Sequence, residues 1–328
     1  MSDPFFQPVS GFDLPRFAGV PTFMRLPHVG LDDSRIGDVD IGLTGIPWDG
    51  GTTNRPGARH GPRQLRDLST MIRACHPVSR VNPFELTNCA DLGDVGPNPV
   101  SLDDTFDRVV AFYEKLHANR ITPLSLGGDH FLSYPVLKGL VGTGNPVGMI
   151  HFDAHTDLMD SYFGDFKLTH GTPFRRAIEA GLLDPKRTVQ IGIRGTAYDF
   201  EDIEWGEEQG VRFIRIEELM DRGVADVMEE ARGIVGKKET YISFDIDFID
   251  PAFAPGTGTP EIGGPDTLTA QRCVRLLDGV NIIGADVVEV SPPFDPSGAT
   301  AWVGISIAFE ILCVMARAVN SRKTQESG

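Results

Sequence analysis

Positive charge is scarce in this sequence: 30 Lys and Arg stand against 46 Asp and Glu in 328 residues, a formal charge of -16. Nucleic acids and anionic membranes are bound through basic surface, so neither is an expected partner. The acidic field favours approach of a cationic small molecule. Cysteine is scarce too. Cys75, Cys89, Cys273 and Cys313 are scattered with no CxxC pair, which excludes a disulfide framework and a zinc ribbon and reads as reduced, mostly buried thiols. The opening MSDPFFQPVSGFDLPRF lacks the basic and apolar regions of a signal peptide. Long hydrophobic runs are missing as well. The most apolar late stretch, Gly304 to Val319, contains Glu310 and Arg317, and predicts a core helix too short and too charged to span a bilayer. A cytoplasmic location is expected.

What the chain does have is a regular alternation. Short apolar runs recur at Ile41 to Pro47, Ile121 to Leu126, Val147 to Phe152, Thr188 to Ile193, Val211 to Ile216, Tyr241 to Phe244 and Ile282 to Val290. Several are apolar on both faces, as strands covered on both sides are. Helical candidates lie between them, among them Leu102 to Ala118, Pro173 to Ala180, Val224 to Val235 and Leu268 to Leu277. Strands alternating with helices predict an α/β fold, a three-layer α/β/α sandwich. No repeat or linker divides it. Residues 1–35 read as an arm packed on the body or on a neighbouring subunit, and 36–328 as one catalytic domain.

In such sheets ligands bind beyond the carboxyl ends of the strands, and four of these runs end in chemistry. Leu126 is followed by Gly127-Gly128-Asp129-His130, and Phe152 by Asp153-Ala154-His155-Thr156-Asp157. Phe244 runs into Asp245-Ile246-Asp247, and Val288 into Glu289-Val290-Ser291. Carboxylates gathered this closely repel, and one would have to keep its proton unless cations intervene. Two His and four Asp suffice for two divalent ions with shared carboxylates. Such a donor set suits Mn(II), with Ni(II), Fe(II), Co(II) and Zn(II) also compatible. His130 alone, or Asp245-x-Asp247 alone, carries little weight. The combination carries the argument.

At these residues the chain resembles the ureohydrolases, the family of arginase, agmatinase, guanidinobutyrase, guanidinopropionase and formiminoglutamase. The matching segments are GGDH (127–130), HFDAHTD (151–157), SFDIDFIDPAFAPGTGTPE (243–261) and DVVEVSPP (286–293). GIPWDGGTTNRPGARHGP (45–62) and RFAGVPTFMRLP (16–27) are similar to the bacterial guanidino-acid hydrolases in particular. The resemblance implies an eight-stranded parallel sheet, a trimeric or hexameric assembly and a binuclear manganese site, with nickel as the alternative. It implies His130, Asp153, Asp157 and Asp245 on one metal, and Asp153, His155, Asp245 and Asp247 on the other.

Two metals roughly 3.5–4 Å apart acidify a bridging water and aim it at a guanidino carbon. Asp157 is then expected to accept a hydrogen bond from that hydroxide, and Glu289 to pair bidentately with the planar guanidinium. His170 matches the family's proton shuttle. Asp129 is the expected orienter of His130.

Substrate choice is expected in Leu158 to Thr169 and in the Gly-rich loop Gly50 to Gly61. Arginase-like relatives commonly carry Asn where this chain has Met159, and a thioether cannot replace an amide donor to a carboxylate. That weakens arginine as substrate. Tyr162 and Phe163 are expected to narrow the pocket, and Arg55 or Arg59 to face a substrate carboxylate. A short guanidino acid, 3-guanidinopropionate or 4-guanidinobutyrate, is the first expectation. A small alkylated guanidine or biguanide, or agmatine, is the alternative. Two rival classes remain: a one-zinc amide hydrolase, and a non-catalytic partner in a mixed oligomer with a related subunit.

Overall fold

A computed structural model of the chain describes residues 3–142 and 144–326. The elements run β1 (Ile41–Ile46), α1 (Gly61–Ser69), α2 (Pro83–Leu86), β2 (Cys89–Asp94), α3 (Leu102–Ala118), β3 (Thr122–Gly127), α4 (Ser133–Val141) and β4 (Val147–Phe152). They continue with α5 (Pro173–Glu179), β5 (Leu183–Ile193), α6 (Glu201–Gln209), β6 (Arg212–Arg215), α7 (Ile216–Arg222), α8 (Val224–Val235), β7 (Thr240–Asp245), α9 (Thr267–Arg275), β8 (Ile282–Val288) and α10 (Ala299–Glu326). The strands form one eight-stranded sheet in the order β2-β1-β3-β8-β7-β4-β5-β6. Every pairing is parallel.

Helices cover both faces, because the strands are apolar on both. One apolar layer joins Leu65 of α1, Met228 of α8, Cys273 of α9 and α10 to Ile150, Phe152 and Phe244 of the sheet. The other joins Tyr113 of α3, Leu137 of α4 and Phe174 of α5 to Met149 and Tyr241. Alternate residues of one strand therefore feed opposite layers, as the two-residue period requires.

Helices α3 and α8 begin and end where the sequence predicts. Ser101 caps α3 by accepting the Asp104 N–H at 3.2 Å, which fixes its start. Strand β2 is absent from the apolar runs. It is an edge strand carrying Asp91 and Asp94, so its pattern is diluted by charge. Strand β5 starts five residues before Thr188, through the polar Asp184 to Arg187.

Helix α10 spans 28 residues. Its Ala299–Gln325 stretch is long and apolar enough to cross a membrane by length and composition, which corrects the shorter segment expected. Burial carries the core reading instead: 78% of its most apolar window lies inside the protein. In the N-terminal segment Phe6, Phe23, Met24, Leu26 and Val29 are buried against the body, whereas Phe12, Phe17 and Val20 are exposed.

Candidate metal centre

The centre lies where β3, β8, β7 and β4 end side by side. Gly127 and Gly128 turn the chain out of β3, and a Cβ at Gly128 would lie 1.7 Å from the Trp48 carbonyl oxygen, so only glycine fits. His130 follows directly, buried at 1% exposure. After β4 the Asp153 carboxylate folds back on its own turn, Oδ1 accepting the His155 N–H at 2.6 Å. Asp245 does the same after β7, Oδ1 accepting the Asp247 N–H at 2.8 Å. Each turn fixes Oδ1 and leaves Oδ2 facing His130. Asp157 and Glu289 have positive φ, 53° and 63°, a backbone region uncommon for residues other than glycine and enriched at functional sites.

His130 Nδ1 has three carboxylate oxygens around it: Asp153 Oδ2 at 3.1 Å, Asp157 Oδ2 at 2.9 Å and Asp245 Oδ2 at 3.1 Å. It nevertheless makes no hydrogen bond of acceptable geometry. Ligand atoms around a cation are arranged this way; a donor and its acceptors are not. The second group shares Asp153: His155 Nδ1 is 3.3 Å from Asp153 Oδ1 and 3.1 Å from Asp247 Oδ2. Two ion positions joined through one carboxylate follow from these distances. His155 is one-third exposed and opens to solvent, while the other members are buried.

The electrostatics agree. Burial, then the charges of Asp247 and Asp153, pushes the Asp245 carboxyl well above the usual range. Burial and Asp153 raise Asp247 to about 6. Burial would also raise Asp153, but the neighbouring imidazoles of His151, His130 and His155 hold it well below its ordinary value. Divalent cations relieve such a conflict. The residues present therefore fit a binuclear centre.

Several supporting residues escaped sequence reasoning. His130 Nε2 lies 2.8 Å from Ser243 Oγ, whose hydroxyl donates to Asp286 Oδ1 at 2.7 Å. Asp286 Oδ2 accepts from Ser133 Oγ at 2.7 Å and the Tyr241 hydroxyl at 2.8 Å. This places the His130 proton on Nε2 and leaves Nδ1 bare for a cation. Asp129, the expected orienter, is engaged elsewhere. It accepts the Gly51 N–H at 2.6 Å and tethers the Gly-rich loop. His151 Nε2 is 2.8 Å from Asp153 Oδ2. The only signal for Ser243 and Asp286 was their alternation with apolar residues on buried strands.

His170 Nδ1 lies 2.9 Å from Glu289 Oε1, which also accepts the His130 N–H at 3.0 Å. Both lone pairs of Oε1 are thus taken. The bidentate pairing expected of Glu289 is reduced to Oε2, which accepts no protein hydrogen bond among the described residues.

A cavity of about 630 Å³ opens above the centre, its wall including Thr53, Met159, Tyr162, Tyr198 and Arg215. Phe163 does not line it and is 78% exposed. Neither expected arginine lines it. Arg59 is ion-paired with the buried Asp49. Arg55 donates to the carbonyls of Gly258 at 3.1 Å and Thr257 at 2.6 Å and lies over the Phe294 ring. Arg194 lines it but spends its guanidinium on carbonyls of Ile262, Gly192, Asp247 and Glu261. Arg215 has no carboxylate within ion-pair distance among the described residues.

Residues 39–314 match the model of the arginase family. The chain belongs to that family. This arginase-family chain is 55% identical to the guanidinopropionase of Pseudomonas aeruginosa, over 96% of its own length and 98% of that protein's. It is 44% identical to the guanidinobutyrase of the same organism, over 94% and 96% of the two chains. Among solved structures, proclavaminate amidino hydrolase from Streptomyces clavuligerus superposes with a TM-score of 0.87 at 37% identity, covering 93% of this chain and 99% of that one. The eight-stranded parallel architecture is that of the family.

Proposed function

We propose that this chain hydrolyses the guanidino C–N bond of a short guanidino acid, 3-guanidinopropionate or 4-guanidinobutyrate, releasing urea and an amino acid. The observation that carries this is the shared-carboxylate centre, His130, Asp153, His155, Asp157, Asp245 and Asp247, at the floor of a cavity in a chain 55% identical to a guanidinopropionase. Those residues would hold two Mn(II), or two Ni(II). When bound, the ions supply Lewis acidity and lower the pKa of the attacking water toward neutrality.

The chain's own residues do the rest. Asp157 orients the attacking water by accepting its hydrogen bond. Glu289 Oε2 is the oxygen left to pair with the guanidinium while Oε1 holds His170, and His170 provides the proton that the departing nitrogen needs. Arg215, a cation of the wall with no ion pair among the described residues, takes the role first given to Arg55 and Arg59 and attracts the substrate carboxylate. Met159 and Tyr162 support a second reading, a small alkylated guanidine, because their part of the wall is apolar and aromatic. A homo-oligomer, trimer or hexamer, is part of the proposal, and the exposed Phe12, Phe17 and Val20 support it. A cytoplasmic setting suits the four free thiols.

The test is urea and amine release from guanidino acids, agmatine, arginine and alkyl guanidines, with protein loaded separately with Mn(II) and Ni(II). Turnover confined to alkyl guanidines would select the second reading. One metal per subunit would sink the two-metal centre.

A further inference from the structure

His170 has no free ring nitrogen to offer a substrate. Nδ1 is held by Glu289 at 2.9 Å. Nε2 faces Thr53, 3.1 Å from its backbone N and 2.8 Å from its Oγ1. The ring cannot swing easily, since the residue is 7% exposed and its backbone N–H is anchored to the Gly51 carbonyl at 2.9 Å. His170 and Thr53 both line the cavity, Thr53 being the less buried of the two. The hydroxyl, then, is the imidazole's outlet toward the cavity.

A hydroxyl suits this position because it both donates and accepts. When Nε2 carries a proton, Oγ1 accepts it. When Nε2 is bare, the Thr53 hydroxyl or backbone N–H donates to it. A carbon side chain would serve only the second state, through the backbone. The Gly51 tether from Asp129, 2.6 Å long, keeps the loop that carries Thr53 in place.

We propose that Thr53 is the outer member of a proton relay, passing the proton of His170 Nε2 to the departing nitrogen of the substrate. The inference rests on the guanidino-hydrolase reading above. As the Oγ1 proton moves to that nitrogen, the Nε2 proton replaces it on Oγ1. The C–N bond breaks with its electron pair going to nitrogen, which leaves as the amine. The carbon keeps the oxygen delivered by water and becomes urea on losing its hydroxyl proton. Water gives up two protons in all: one restores His170 and the other protonates the free amine. Charge and atoms balance without a further reactant.

The test compares Thr53→Val, Thr53→Ala and Thr53→Ser with wild type, as full-length metal-loaded protein acting on 3-guanidinopropionate. The two hydroxyl-free variants are expected to lose at least about tenfold in kcat with KM nearly unchanged, while Thr53→Ser stays near wild type. In mixtures of H2O and D2O the wild-type rate should fall along a curved line, reporting more than one moving proton, and the Thr53→Val rate along a straight one. In metal-free protein, the NMR titration of His170 should move down in Thr53→Val and recover in Thr53→Ser. Wild-type kcat in Thr53→Val or Thr53→Ala, or a Thr53→Ser variant as slow as they are, overturns the relay. A wild-type protein that releases urea from no guanidino compound instead removes the reading beneath it. Metal content and circular dichroism of each variant separate misfolding from lost chemistry.

Discussion

Glu289 Oε1 and His170 Nδ1 share a hydrogen bond of 2.9 Å, and through it the carboxylate controls where the imidazole proton sits. Burial disfavours a charged ring, but Glu289, with help from Asp157 and Asp129, overcomes it and raises His170 to about 9. A histidine whose pKa is higher folded than unfolded adds stability that is complete below about pH 6.5 and is lost as pH climbs through the folded value. In the metal-free protein, Glu289→Gln should therefore bring the His170 titration down and flatten the fall in stability between about pH 6.5 and 9. NMR titration and denaturant melts at the two ends of that window check this. A titration unmoved by the substitution would refute the pairing.

Asp153 belongs to both ligand groups, so its loss should empty both positions together. Asp153→Ala is expected to bind neither metal equivalent and to lose turnover, measured by elemental analysis beside urea release. Stripping the wild type with a chelator should lower Tm, because an ion that binds only the folded chain adds its binding free energy to stability. Full activity in Asp153→Ala would overturn the assignment of the centre.

Ser243 acts on the centre from one residue away. Ser243→Ala leaves the His130 Nε2 proton without its partner and exposes Asp286 to the loss of one donor. Metal affinity should fall about 10–100-fold while the fold persists. Calorimetric titration of the metal-free variant with Mn(II) measures it, and wild-type affinity would show that the imidazole needs no such support.

Charge on the cavity wall separates the arginines. Arg215→Gln should raise KM for guanidino acids while leaving agmatine and alkyl guanidines unchanged. Arg59→Gln should leave relative substrate preference untouched and cost stability instead, because it strands the buried Asp49. Steady-state kinetics on substrates with and without a carboxylate, together with melts, distinguish the two. Equal effects from both variants would argue against Arg215 as the carboxylate's partner.

The layered architecture was legible because β4 and β7 are apolar on both faces, and a parallel sheet buried on both sides leaves that trace in any sequence. Strand β2 left none: its Asp91 and Asp94 serve Arg66 in ion pairs, which breaks the apolar run. The six candidate ligand positions stood out because carboxylates and histidines gather at the ends of strands. The roles of Asp129, Arg55 and Arg59 were misread for one reason. A sequence shows charges but not their partners: Asp129 through Oδ2, and both arginines, engage the loops around the cavity rather than its contents. Ser243 and Asp286 were silent because a hydroxyl and a carboxylate on a buried strand look like breaks in a hydrophobic pattern until tertiary packing joins them.

The place of β7 in the sheet has a consequence for the cradle. Asp153 leaves β4, whereas Asp245 and Asp247 leave β7, and the two strands are sheet neighbours although α5 through α8 lie between them in the chain. No single stretch of sequence therefore carries a complete site for an ion. The cradle exists only where that long-range pairing holds, and an ion held there would tie together two distant parts of the chain.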